Sequence, residues 1–250
     1  MTDWYKIKKV LIWQGWVEKQ IYPAGWNPWA NTLLYLPLES DIKDYSWNNR
    51  DVSTNSWMTQ STVWGKACYV VGNTWWINLW TWALSWIKPS TNQFTFSLRI
   101  NVSSTSSPNR CYFEWAVYNQ YRLYLGREYN TKKPRFLVIK NNADNMTVMN
   151  NAAWDNQWSL ITFTINDGTV NFYINWVKDS HYPITWVDNH WFGTRTSTSE
   201  QWIWLFNIRD WLSSNGAANC AVSNCIMESV ARTAQEVANY YNQTKSNYGL

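Results

Sequence analysis

A two-residue β-hairpin turn needs φ > 0 at both central residues, which is why Asn-Gly dominates there. This chain has Asn175-Trp176 at such a place, between the β-rich runs Val170–Ile174 and Val177-Lys178. A bulky aromatic at φ > 0 is a steric outlier. The same conflict recurs at Ser46-Trp47-Asn48-Asn49, at Val63-Trp64-Gly65-Lys66 and at Asn73-Thr74-Trp75-Trp76. Each is a context that asks for glycine, and each carries tryptophan. Trp80, Trp82 and Trp86 follow neither a helical stripe nor a strand face.

The chain holds 22 Trp and only 9 Gly, the reverse of ordinary usage. The economical reading is that many of these positions are UGA codons, translated here as Trp and decoded as Gly in the source organism. The set is Trp13, Trp16, Trp47, Trp57, Trp64, Trp75, Trp76, Trp80, Trp82, Trp86, Trp115, Trp176, Trp186, Trp191, Trp202 and Trp204. Exchanging them would leave 25 Gly and 6 Trp, an ordinary β-protein composition. Trp26, Trp29, Trp154, Trp158 and Trp211 sit where an indole is at home, and Trp4 is undecided. The competing reading is a tryptophan-rich surface for stacking sugars. Such platforms need a few placed aromatics, not Trp at turn after turn.

A chain of 250 residues can hold one large domain with a sizeable core. Charged residues make up 15% and net charge is +4, with only short basic clusters at Lys6-Lys8-Lys9 and Lys132-Lys133-Arg135. Nucleic-acid binding is not indicated. No run of eighteen apolar residues suggests a membrane span. The start of the chain turns charged too quickly for a signal peptide, so an extracellular or virion-associated role would need another exit route, such as lysis. Four cysteines, Cys68, Cys111, Cys220 and Cys225, allow three pairings, and Cys220 with Cys225 could close a small loop. Buried free thiols are the favoured alternative. His181 and His190 show no zinc-ligand spacing with them.

Two β-rich runs, Ile7–Ile12 and Val17–Tyr22, suggest an N-terminal hairpin over residues 1–25, similar to the short hairpins ahead of the main domain in phage tail-associated proteins. The segment Pro23–Pro28 breaks the pattern, and residues 26–250 form the main domain. Thr32–Leu38 opens it as a strand. Phe94, Phe96, Leu98, Ile100 and Val102 alternate with Thr95, Ser97, Arg99 and Asn101. Further strands are read at Cys111–Val117, Arg122–Gly126, Arg135–Lys140, around Ile161–Ile165, at Ile203–Ile208 and at Ile226–Val230. Many short strands between turn signals argue for an all-β sandwich or barrel. One helix is clear. Thr233-Ala234-Gln235-Glu236 is a capping box, followed by an apolar face at Val237, Tyr240 and Tyr241.

The ordered motifs Leu34-Tyr35-Leu36-Pro37-Leu38, Asp44-Tyr45-Ser46-Trp47-Asn48-Asn49, Trp64-Gly65-Lys66-Ala67-Cys68-Tyr69, Phe94–Leu98, Trp158–Phe163, Phe172–Trp176 and Thr233–Asn242 resemble the concanavalin A-like lectin/glucanase superfamily. More narrowly, they resemble the laminin-G-like domains of bacteria and phages, over residues 31 to 245. Trp47, Trp64 and Trp176 fall where that family usually has Gly. Residues 103–110 and 213–225 have no counterpart in it. The resemblance implies a two-sheet antiparallel jelly-roll β-sandwich, with ligand or Ca²⁺ sites on rim loops.

The superfamily's glucanases place two carboxylates ~5 Å apart across the sugar. None of Glu18, Glu39, Glu114, Glu128, Glu200, Glu228 and Glu236 pairs with another acid at their strand spacing, so catalysis is not expected. Asp41, Asp44 and Asp51, with Asn48 and Asn49, are candidate Ca²⁺ ligands, because hard oxygen donors clustered in a loop suit that ion. Asp and Asn also build turns through their own backbone, the commoner reason for them and the favoured one here. Tyr118, Tyr121 and Tyr129 could stack on sugars or simply fill a sheet face. The expected role is non-catalytic recognition of glycan or a cell-surface polymer within a phage tail or bacterial surface structure. The alternative is a structural protein that meets only protein partners; a glycoside hydrolase comes third.

Overall fold

The computed structural model describes residues 31–46, 53–54, 58–71, 77–79, 93–103, 111–117, 121–127, 133–140, 143–148, 156–167, 169–180, 201–205 and 220–248. In chain order the strands are β1 (Thr32–Leu36), β2 (Ser53–Thr54), β3 (Thr59–Val63), β4 (Lys66–Val71), β5 (Ile77–Leu79), β6 (Gln93–Val102), β7 (Cys111–Val117), β8 (Tyr121–Arg127), β9 (Pro134–Lys140), β10 (Ala143–Val148), β11 (Trp158–Asn166), β12 (Thr169–Ile174), β13 (Val177–Lys178), β14 (Gln201–Leu205) and β15 (Cys220–Glu228). A helix, α1 (Ala234–Thr244), and a 3₁₀ turn, Lys245–Tyr248, follow. The N-terminal hairpin expected over residues 1–25 lies outside the described residues.

Among the described residues the strands make two antiparallel sheets. The eight-stranded one runs β13-β12-β11-β6-β15-β4-β3, with β1 also paired to β15; the seven-stranded one runs β10-β9-β8-β7-β14-β5-β2. This is the two-sheet jelly-roll β-sandwich with a short C-terminal helix that the strand pattern and the resemblance implied.

The alternation in β6 explains the core. Phe94, Phe96, Leu98, Ile100 and Val102 are fully buried, and so are Phe163 and Phe172 on β11 and β12. Phe113 from the other sheet closes the cluster, its ring centroid 4.5 Å from Phe96 and 5.4 Å from Phe163. Burying each such side chain contributes about 1.5–3 kcal/mol, and tilted ring pairs add to it.

The opposite face of β6 departs from what alternation alone suggests. A polar set facing away from an apolar one is the mark of a half-solvated strand. Yet Thr95, Ser97, Arg99 and Asn101 are buried as well, because α1 and the turns on either side of it pack against this face. Tyr240 and Tyr241 of α1 pack with Tyr35, Leu160 and Ile226. Tyr248 packs with Cys68, Trp158 and Ala221, with Val63 of β3 against them. The capping box starts α1 as expected: Thr233 Oγ1 accepts from the Glu236 backbone N–H at 3.3 Å, and Glu236 Oε2 accepts from the Thr233 N–H at 2.7 Å.

The segment around Cys220 and Cys225 corrects the loop alternative. Both cysteines lie on β15, the strand that joins β6 on one edge to β4 and β1 on the other. Five residues of extended strand separate their Cα atoms by roughly 16 Å, well beyond the ~4.4–6.8 Å that a disulfide spans. Cys68, Cys220 and Cys225 are buried free thiols, and burial pushes each of them up, away from the reactive thiolate. A bulge between Ser223 and Cys225, with Asn224 at φ 52°, lets β15 change neighbours from β4 to β1.

Seven non-glycine residues among those described have positive φ. Four are Asn or Asp, which tolerate the left-handed region; the others are Leu38, Trp64 and Trp176. Trp64 (φ 54°) and Gly65 (φ 74°) form the β3–β4 turn, and Asn175 (φ 53°) and Trp176 (φ 145°) the β12–β13 turn. Two turns that the sequence marked as glycine sites therefore have glycine-like backbones.

Candidate functional site

The acidic loop after β1 is tied to the strand it leaves. Asp44 is only 2% exposed. Its Oδ1 accepts from the Tyr35 N–H at 3.0 Å and the Ser46 N–H at 2.8 Å, and its Oδ2 accepts from Ser46 Oγ at 2.8 Å. One carboxylate thus satisfies an edge amide of β1 and closes the turn that brings the chain back beside it. Asp41 accepts from the Lys43 N–H at 3.3 Å and from the Tyr45 hydroxyl at 2.7 Å. The hydrogen bond to Asp41, with burial and the repulsion of its charge, pushes the Tyr45 phenol up to about 12. Burial, and then Asp41, push up Tyr69 as well.

Asp41 and Asp44 are thus brought into one loop, but each carboxylate is engaged with its own set of donors. Those hydrogen bonds tie the loop to β1 and close its turn. Asp51, the third candidate Ca²⁺ ligand, lies outside the described residues with Asn48 and Asn49. Among the described residues no group of three or more His, Cys, Asp or Glu could hold a metal ion.

Two further acids are engaged within the fold. Glu228 and Arg232 form a buried two-point ion pair at 2.6 and 2.9 Å, with the guanidinium 4.7 Å from the Tyr240 ring centroid. Glu236 is committed to the cap of α1. His181, His190, Tyr118 and Tyr129 lie outside the described residues; Tyr121 opens β8.

The faces of the two sheets differ in what they leave for a ligand. The outer face of the eight-stranded sheet is covered over its central strands by α1 and the 3₁₀ turn. In the seven-stranded sheet, Phe113 and Leu125 are register partners and fully buried, which marks their row as core-facing. The alternate rows belong to the opposite face. One row runs Trp204, Glu114, Tyr124, Leu137, Met146 and the next Trp202, Ala116, Arg122, Ile139, Asp144, from β14 through β7, β8 and β9 to β10. The sequence did not single out these rows, because they exist only once five separate strands are in register.

Together, the two sheets and the C-terminal helix define a jelly-roll β-sandwich. Residues 82–203 match the laminin-G-like family model of the concanavalin A-like lectin/glucanases superfamily, in agreement with the motif order. No curated protein sequence matches the chain. Among solved structures it is similar to domain 4 of AbnA, a GH43 extracellular arabinanase from Geobacillus stearothermophilus, in complex with arabinotriose. Identity is 13% and the TM-score 0.63, over 84% of this chain and 98% of that domain. It is also similar to the binding domain of Paraclostridial Mosquitocidal Protein 1 (16% identity, TM-score 0.60, 85% of this chain and 51% of that one). The same values relate it to botulinum neurotoxin type C, whose cell entry depends on interaction with two ganglioside molecules. The chain spans about half the length of those toxin domains. At such identities the likeness is one of fold. Among the described residues no helix is long and apolar enough to cross a membrane.

Proposed function

We propose that the chain is a non-catalytic carbohydrate-recognition module that works outside a cell, binding glycan or a surface polymer. The observation that carries this reading is the match in fold to nearly the whole of a domain held in complex with arabinotriose. The ganglioside dependence of botulinum neurotoxin type C points the same way. With α1 and the 3₁₀ turn over the centre of the eight-stranded sheet, we assign the ligand to the rim loops or to the opposite-face rows of the seven-stranded sheet. In this reading residues 1–25 attach the module to a phage tail or bacterial surface structure.

A glycan array probed with the full chain tests it. Micromolar binding, weakened by substitution at Glu114, Arg122 or Tyr124, is the expected result. Binding to no glycan, together with assembly into a larger particle, overturns it in favour of a structural protein. Release of reducing sugar from a β-glucan would overturn the non-catalytic half.

The reading depends on which tryptophans are real. We propose that Trp64 and Trp176, and with them the other fourteen positions, are glycines in the source organism. Support comes from the positive φ of both described turn positions and from their exposure, 75% and 52%. A sugar platform made of these indoles then disappears, leaving tyrosines and polar groups to contact the ligand. TGA codons at the sixteen positions of the gene are expected; TGG codons there would end the idea.

A further inference from the structure

Among the described residues, one charge on the outer face of β6 has no counter-charge within hydrogen-bonding reach. Arg99 is fully buried. Its Nη2 donates to Thr244 Oγ1, which in turn donates to the Tyr240 carbonyl at 2.8 Å. Among the described residues its Nε and Nη1 have no hydrogen-bond partner, and neither has the buried Nδ2 of Asn101, two residues along the same face. The guanidinium carbon lies 4.7 Å from the Tyr248 ring centroid and 5.4 Å from that of Tyr241.

Part of the charge is compensated. α1 has no basic residue in its last turn, so Arg99 provides a cation at the helix's negative end from across the sheet. The tyrosine faces attract it too. Neither supplies an acceptor for the three orphaned N–H-bearing atoms, and buried donors without acceptors are costly and rare in folded proteins. A water could accept from two of them but would have to place its own hydrogens. A small anion needs donors alone, and it also cancels the buried cation.

We propose that a halide-sized monovalent anion is held under the C-terminal 3₁₀ turn, bound by Arg99 and Asn101 and walled by Tyr248. It enters as α1 and the 3₁₀ turn close over the sheet, and it helps to hold them there. The site is separate from the proposed carbohydrate face and stands whether or not that reading does.

The test is thermal melting of the full chain, in whichever of its tryptophan or glycine forms melts cooperatively. Sodium bromide is compared with sodium gluconate at matched ionic strength. Melting temperature should rise with bromide and follow the saturating dependence of a ligand that binds only the folded state. Arg99→Met should lose that dependence, and Asn101→Ala should need more bromide for the same rise. Should Arg99→Met not fold, a bromide-soaked crystal of the unaltered chain decides, through an anomalous peak beside Arg99. Equal melting in the two salts overturns the proposal. So does a bromide response that survives in Arg99→Met, or a crystal with no peak there.

Discussion

Trp158 and Trp176 are the same residue type in opposite situations. Trp158 opens β11, is 2% exposed, donates its indole N–H to the Val63 carbonyl at 3.2 Å and lies 5.4 Å from the Tyr248 ring. Trp176 sits at a hairpin tip at φ 145°, half in solvent. Everything an indole offers, area and one N–H, is used at the first site. At the second the indole is half in solvent, and the backbone takes a φ of the kind that glycine alone commonly adopts. Trp64 at the β3–β4 tip, φ 54° and 75% exposed, belongs with Trp176. The two kinds of site even touch, since the carbonyl that Trp158 holds belongs to the residue just before Trp64. Large apolar residues can thus be sorted by the backbone they sit on as well as by how deeply they are buried.

The widest test of this contrast is to restore glycine at all sixteen positions and keep Trp158. Strain of about 1–2 kcal/mol at each turn that needs positive φ, summed, is comparable with the ~5–15 kcal/mol margin of a domain; Trp115, Trp202 and Trp204, within β7 and β14, do not have positive φ and add none of it. The tryptophan form should be insoluble or unfolded, and the restored form should melt cooperatively. Equal stability of the two would break the comparison. In the restored background Trp158→Ala should cost about 3–5 kcal/mol by denaturant unfolding, because it opens a cavity under Tyr248 and orphans the Val63 carbonyl. A loss within the range of a surface change would mean that the indole there is replaceable.

Single reversions should run the other way and be smaller. Trp176→Gly should stabilise by about 1 kcal/mol or more. Trp64→Gly should gain less, because αL strain of about 1–2 kcal/mol is partly offset by glycine's chain entropy of about 0.5–1 kcal/mol. Destabilisation by both would show that the tips tolerate indoles. The smallest effect lies in the acidic loop, remote from both turns. Tyr45 should titrate near 12 by phenolate absorbance, and Asp41→Asn should bring it down toward 10.0. Its folded value lies above the unfolded one, so the stability it contributes is full below the unfolded value and is lost as pH climbs toward the folded one.

Much of the fold was legible because the signals are local. The alternation in β6 and β11 announced their core faces, and Thr233 to Glu236 announced the helix start. The turn at Asn175 declared itself through two residues. The segment 220–225 was not legible: Cys220-Ala221-Val222-Ser223-Asn224-Cys225 is small and polar enough to pass for a loop. It is a central strand because neighbours on both edges and layers on both faces accept it. Of the candidate site, Asp41 and Asp44 could be named from the sequence, but the donors that occupy them could not. Ser46 and Tyr45 are near in sequence, whereas the Tyr35 amide, nine residues back, arrives only when the loop folds onto β1.

Residue identity by itself determined where the backbone turns, which strands have an apolar face and where the helix begins, since steric and hydrogen-bonding preferences act within a few residues. Tertiary structure alone decided that the polar face of β6 is buried, that Arg99 lies beneath a helix 135 or more residues later in the chain, and that rows from five strands share one face. Those outcomes depend on which distant segments cover which surface, and no local preference carries that information.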